Sequence, residues 1–170
     1  MTQENTSTQQ SRLIGVLREG ITIVQMILFK EVRDRLGNNH PDLDTAILSK
    51  LAGTITNEVF GTSNPDEKFR LFRRENSGLI EQELLGLHEQ LPKLRGILSD
   101  ALRVQALCDT QEGNDASRLL TRADELGLLI PERDIPLPSI FMTRIRTIGA
   151  EYNLIVPPIQ IDTETDQLLH

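Results

Sequence analysis

The sequence predicts an all-α protein, a bundle of six or seven helices with a central helix pair around residues 79–108. Three observations carry that expectation. Apolar side chains recur three and four residues apart over long stretches, which gathers them on one helical face. Proline and acidic residues precede several of these stretches and glycine follows them, as the dipole and the geometry of helix ends favour. A length of 170 residues suffices for one buried core and is short for two.

In chain order, the opening MTQENTSTQQ has only Met1 as an apolar residue, so residues 1–11 are expected to form a flexible polar arm. A single helical domain is expected over 12–155, followed by an acidic C-terminal tail, 156–170. The first helix starts at Ser11 and carries a stripe of Ile14, Leu17, Ile21, Val24, Leu28, Val32 and Leu36, with Gly37 as its stop. Residues 21–29, ITIVQMILF, are apolar nearly all round and follow Gly20, so a buried strand is the competing reading there. A second helix is expected from Pro41 at its first position to Phe60, with Gly61 as its stop. A third has Asn64 as cap, Pro65 to open the turn, and Phe69 and Phe72 on one face.

From Leu79 to Cys108 the seam Ile80, Leu84, Leu87, Leu91, Leu94, Leu98, Ala101 has coiled-coil spacing. Further apolar residues lie off the seam, which calls for more than one packing partner. Pro92 lacks an amide donor and would clash with the preceding turn, so two helices are favoured, the second starting at the proline. The next helix begins at Asn114 or Asp115 and stops at Gly127, with Leu128 folding back on the last turn. Prolines 131, 136 and 138 stiffen the connection over 128–138, and a last helix is expected over 139–151.

The formal charge of −7 is unevenly placed. Residues 1–64 hold six basic and seven acidic side chains, residues 65–150 twelve and fourteen, and residues 151–170 none and four. The body is therefore close to balanced, which disfavours wholesale attraction to nucleic-acid backbones. Fourteen of the eighteen basic residues are arginine, whose planar fork suits paired carboxylates as well as anionic ligands. The most apolar stretch falls far short of the roughly 20 residues that span a bilayer. The first residues also lack the order of a signal peptide, and a single cysteine makes no internal disulfide. A cytoplasmic location without membrane contact is expected.

Few chemistry-bearing motifs occur in the sequence. Phosphate cradles need closely spaced glycines, and the eleven here are scattered. His40, His88 and His170 stand far apart, and none has a second ligand at metal spacing; no metal or cofactor is expected. The segment ALCDTQEGND surrounds the lone Cys108 with Asp109, Glu112 and Asp115. Read as a calcium loop with Gly113 at position 6, it places Cys108 and Leu119 where positions 1 and 12 require oxygen ligands. Its acids would raise the thiol pKa, so a packed core cysteine and a helix-to-helix turn are expected unless a distant Arg or His folds over it. Ala123 and Gly127 have the separation seen in a helix-turn-helix, but prolines occupy the place of a recognition helix. Arg144 and Arg146 on the last helix are left as cations that could meet phosphate in another geometry.

The densest cationic feature is KFRLFRRE, where Arg70, Arg73 and Arg74 form the candidate anion-binding set; the competing reading pairs them with acids and buries the phenylalanines. No catalytic residue is assigned. The functional expectation is a helical interaction or regulatory protein that contacts a protein partner or a second copy of itself, because the stripe over 13–36 is long enough to pair with a partner helix. The alternative is an enzyme whose Arg and carboxylate side chains converge from several helices, with nucleic-acid binding behind it.

Overall fold

The computed structural model describes the backbone of residues 2–61, 66–130 and 138–154, with side chains described over 11–61, 66–130 and 140–154. Among these residues there are seven helices and no strand. They are α1 (Thr2–Asn39), α2 (Thr45–Val59), α3 (Glu67–Glu75), α4 (Ser77–Gln90), α5 (Pro92–Gln111), α6 (Ser117–Glu125) and α7 (Pro138–Glu151). The predicted fold class, an all-helical bundle of six or seven members, is the one observed. The expected tail 156–170 and most of the proline-rich connection lie outside the described residues.

Helix α1 is the axis of the bundle, in contact with α2, α5 and α7. Its segment 21–29 is helical, and the strand reading fails because three neighbours, not one, cover the apolar circumference. Ile23 and Ile27 are buried alongside Ile21, Val24 and Leu28. The helical backbone begins at Thr2, ahead of the apolar stripe, and residues 2–10 contain no glycine or proline to stop it.

Gly20 is what admits α7. A Cβ added there would stand 2.8 Å from the Phe141 ring and 3.1 Å from both the Ile145 Cδ1 and the Met142 Sδ. Those three side chains are fully or almost fully buried, so the two helices meet through the missing side chain.

Helix α2 starts four residues later than predicted. The cap is Asp44, whose carboxylate accepts from the Ile47 amide at 2.8 Å, and Pro41 belongs to the preceding turn. The stop is as expected, with Gly61 at φ +66°. In α3 the cap is Asp66, accepting from the Lys68 amide at 3.1 Å, whereas Asn64 and Pro65 lie outside the described residues. No α3 residue is buried; Phe69 and Phe72 are half-covered, and Lys50 sits 4.5 Å above the Phe72 ring.

The break at Pro92 is as predicted, with the proline opening α5. More than half of α5 is buried, including Ser99, Asp100 and Gln105, and it touches α1, α4, α6 and α7. Helix α6 ends in the predicted glycine stop. Gly127 has φ +69°, the Leu128 amide donates to the Ala123 carbonyl at 2.9 Å, and Leu128 is buried over the last turn.

Two glycines of α1 should respond in opposite directions. Gly15 is exposed with open space around its Cα, so Gly15→Ala is expected to stabilise by about 0.5–1 kcal/mol. Gly20→Val is expected to destabilise by about 2 kcal/mol or more through overpacking against α7. Urea unfolding of both variants checks this; equal effects would remove Gly20 as the α7 contact.

Candidate functional site

The predicted anion-binding set, Arg70, Arg73 and Arg74, lies together on α3. Arg73 is engaged by carboxylates: its Nε donates to Glu58 Oε1 at 2.5 Å and its Nη2 lies 3.9 Å from Glu81. Glu81 in turn accepts both 2.9 and 3.1 Å bonds from Arg122, which also approaches Glu125 at 3.7 Å. The result is an ionic chain that ties α2, α3, α4 and α6 together at the surface. Arg70 and Arg74 are exposed on α3 and do not take part in that chain. The Glu58 bond outweighs partial burial and holds the Arg73 pKa above its usual value.

The turn around Cys108 is built by geometry that the sequence only half reveals. Gly113 has φ +83°, the Asn114 amide donates to the Asp109 carbonyl at 2.7 Å, and the Asp115 carboxylate accepts from the Ser117 amide at 2.9 Å at the start of α6. A distant arginine does fold over it. Arg18 of α1 donates through Nη2 to Asp109 Oδ1 at 3.2 Å and Glu112 Oε2 at 2.9 Å. Cys108 itself is buried in the core. Burial pushes its thiol pKa up; Arg18 opposes that, while Glu112 and Asp109 reinforce it. A protonated, covered thiol is a poor nucleophile, so this is a helix junction clamped by an ion pair.

Two further arginine–carboxylate contacts lie deeper. Arg35 of α1 donates to Glu83 Oε2 at 2.6 Å, to the Glu83 carbonyl at 3.2 Å and to Gln90 Oε1 at 2.9 Å; Glu83 is buried and the Arg35 side chain is only 10% exposed. His40 Nε2 stands 3.5 Å from the other Glu83 oxygen. Burial lowers the Arg35 pKa from its usual value despite Glu83 and Glu31, yet an arginine so paired keeps its charge. On the far side of α5, the fully buried Asp100 accepts from Arg144 of α7, so one of the two cations left over on the last helix is engaged by protein. Arg146 also has a protein partner. Glu83 and Asp100 are thus each held by their own arginine. None of these charged groups lines the groove described next.

That groove lies between α1 and α2. Thr22, Gln25, Met26, Phe29, Lys30 and Arg33 form one wall, Gly53, Thr56 and Asn57 the other, and Leu154 closes one side, around a volume of about 390 Å³. Met26 is 50% exposed there, although its neighbours Ile23, Ile27 and Leu28 are buried. Thr22 and Thr56 donate their hydroxyl protons to the Arg18 and Ala52 carbonyls, at 3.0 and 2.8 Å, so neither proton is offered to the groove. A Cβ added at Gly53 would make ordinary contact with the Phe29 ring, at 3.8 Å. The rim is cationic. Lys30 donates to the Tyr152 carbonyl at 2.7 Å, and the Arg33 guanidinium lies 5.7 Å from the Phe29 ring centre. Burial, then a hydrogen bond with Glu31, keeps the Tyr152 phenol protonated well above its ordinary range.

Among the described residues no group of three His, Cys, Asp or Glu side chains could hold a metal ion, and no helix is long and apolar enough to cross a membrane. The sequence did not point to the groove. Its one signal was the apolar run 21–29, which carries more apolar residues than a single helical face can bury.

The buried contact of Arg35 with Glu83 invites a direct test of whether it is structural. Glu83→Gln strands a buried guanidinium and is expected to cost about 3 kcal/mol in urea unfolding, whereas Arg35→Met combined with Glu83→Leu should be close to neutral. A double variant as damaged as the single one would contradict this assignment. In comparisons with known proteins, no family model, curated protein or solved structure matches the chain.

Proposed function

We propose that this protein is a helical interaction or regulatory module that works through protein–protein contacts, including contacts between its own copies, and that the groove between α1 and α2 is its contact surface. The observation that carries the reading is Met26. It is a large apolar side chain, half exposed, beside Phe29 in a groove of about 390 Å³ with a cationic rim. Methionine is flexible and polarisable, which suits a surface that accepts a partner side chain. An open trough between two helices matches the recognition of a helix or an extended segment better than the enclosed pockets that bury most of a small molecule.

The stripe over residues 13–36 packs inside the bundle against α2, α5 and α7, so it is not a free face for another helix. What is left for a partner is the part of α1 that those helices do not cover. A cytoplasmic setting accords with a single, buried, reduced cysteine.

Met26→Asp tests the proposal at an exposed position where the fold should tolerate the change. Sedimentation equilibrium of the unsubstituted chain should show mass rising with concentration, and affinity capture should retain a partner. Both should weaken by about tenfold or more in the variant, the equivalent of losing ~1.4 kcal/mol. A monomer at every concentration, together with no captured protein that depends on Met26, would reject the reading.

A further inference from the structure

We infer that the occupant of this surface is a second copy of the chain, with the two α1 helices lying antiparallel about a two-fold axis that passes between their Met26 side chains. This pairing rests on the groove between α1 and α2 being the contact surface proposed above, and gives it an occupant and a register.

Helix α1 carries a second seam besides its buried stripe. Gly15, Glu19, Thr22, Met26, Phe29 and Arg33 alternate spacings of four and three, the period that keeps side chains facing another helix. The first four are exposed and the last two half-buried, whereas Leu17, Ile21, Val24 and Leu28 of the stripe are buried. Thr22, Met26, Phe29 and Arg33 line the groove, and the seam continues beyond it for two further positions, Glu19 and Gly15. Its outer end is open to a neighbour, because a Cβ added at Gly15 would meet no atom within 4 Å.

Charge selects both the partner and the direction. A two-fold axis sets each residue opposite the one equally far on the other side of it. Glu19 and Arg33 each lie seven residues from Met26, so the axis brings Glu19 of either copy to Arg33 of the other. Within one chain they stand about 21 Å apart along α1, at about 1.5 Å per residue, too far to meet. Glu19 enters none of the ion pairs described above. Arg33 has Asp34 at 3.8 Å, a contact between exposed side chains that contributes little. Thr22 and Phe29, on either side of Met26, come level with each other across the pair, so the Thr22 methyl faces the other copy's ring. A parallel pairing would set Glu19 against Glu19 and Arg33 against Arg33, which repel.

Size then sets the strength. The seam and the α2 wall beside it span at most roughly 27 Å by roughly 20 Å, so the pair covers on the order of 1,000 Å² in total, the low end of specific association. The pairing is therefore reversible, and the groove is covered in the pair and open in the single chain.

Charge exchange in the full chain tests the register. Glu19→Arg or Arg33→Glu alone sets like charges opposite each other at both ends of the seam. Each is expected to raise the dimer dissociation constant, read by sedimentation equilibrium, at least about tenfold. Both substitutions in one chain restore the unlike pairs, and the constant should return to within about threefold of the unsubstituted value. Cross-linking gives a second readout. A mixture of Glu19→Cys chains and Arg33→Cys chains keeps one native pair intact and should yield a dimer joined by a short bismaleimide, while either variant alone should not, Cys108 being buried. A monomer at every concentration, single variants that associate as tightly as the unsubstituted chain, a double variant no tighter than the single ones, or Glu19→Cys chains joined to one another would each overturn the inference. The two proposals fail separately. Capture of another protein that depends on Met26, by a chain that stays monomeric, removes the self-pairing and leaves the groove as a contact surface; loss of both removes both.

Discussion

The burial of α1 on three sides is the constraint from which the rest of the structure follows. A helix that packs on one neighbour needs one apolar stripe, but α1 contacts α2, α5 and α7 and buries Leu17, Ile21, Ile23, Val24, Ile27, Leu28, Val32 and Leu36 along its length. Each such side chain contributes about 1.5–3 kcal/mol when removed from water, so the helices around α1 are held chiefly by their shared contact with it. Gly20 sets how near α7 can come. Where the three neighbours leave a gap, Met26 and Phe29 form the groove, so the candidate site is a by-product of the same packing.

Charge then fixes which helix meets which. Apolar faces of similar width can slide or exchange, whereas a buried carboxylate tolerates only a position beside its cation. Buried Glu83 ties α4 to α1 through Arg35 and buried Asp100 ties α5 to α7 through Arg144, while the more exposed Asp109 and Glu112 tie the end of α5 to α1 through Arg18. These pairs add little net stability when both partners are present, because desolvation offsets attraction. Their effect is to penalise the wrong arrangement. The abundance of arginine over lysine fits this use, since a planar fork can satisfy a carboxylate and a carbonyl together, as Arg35 does with Glu83.

Local signals were legible wherever one residue decides the backbone. Pro92 begins α5, Gly61 and Gly127 end their helices, and α7 begins within one residue of its expected start. They misled where two residues compete for one role: Pro41 and Asp44 both suit a helix start, and the Leu43 amide bonding to the His40 carbonyl at 3.1 Å closes a turn that leaves the capping to Asp44. Gly20 suggested the edge of a strand because periodicity cannot see what packs on a glycine. The ion pairs were foreseeable as a class and invisible as partners, since Arg18 and Glu112 are 94 residues apart. The arginines of α3 stood out by local density, but Arg73 is engaged by Glu58 and Glu81, two acids from other helices. The groove had no motif at all, because it is defined by what α2, α5 and α7 fail to cover.

If α1 is the axis on which the other helices depend, its amides should open only when the whole protein does. Native-state hydrogen exchange resolved by residue measures this most directly. The account predicts that amides over residues 17–36 exchange with the free energy of global unfolding, at least as protected as those of α5. Exchange of that stretch through a lower-energy local opening, with α2 and α5 still protected, would contradict it.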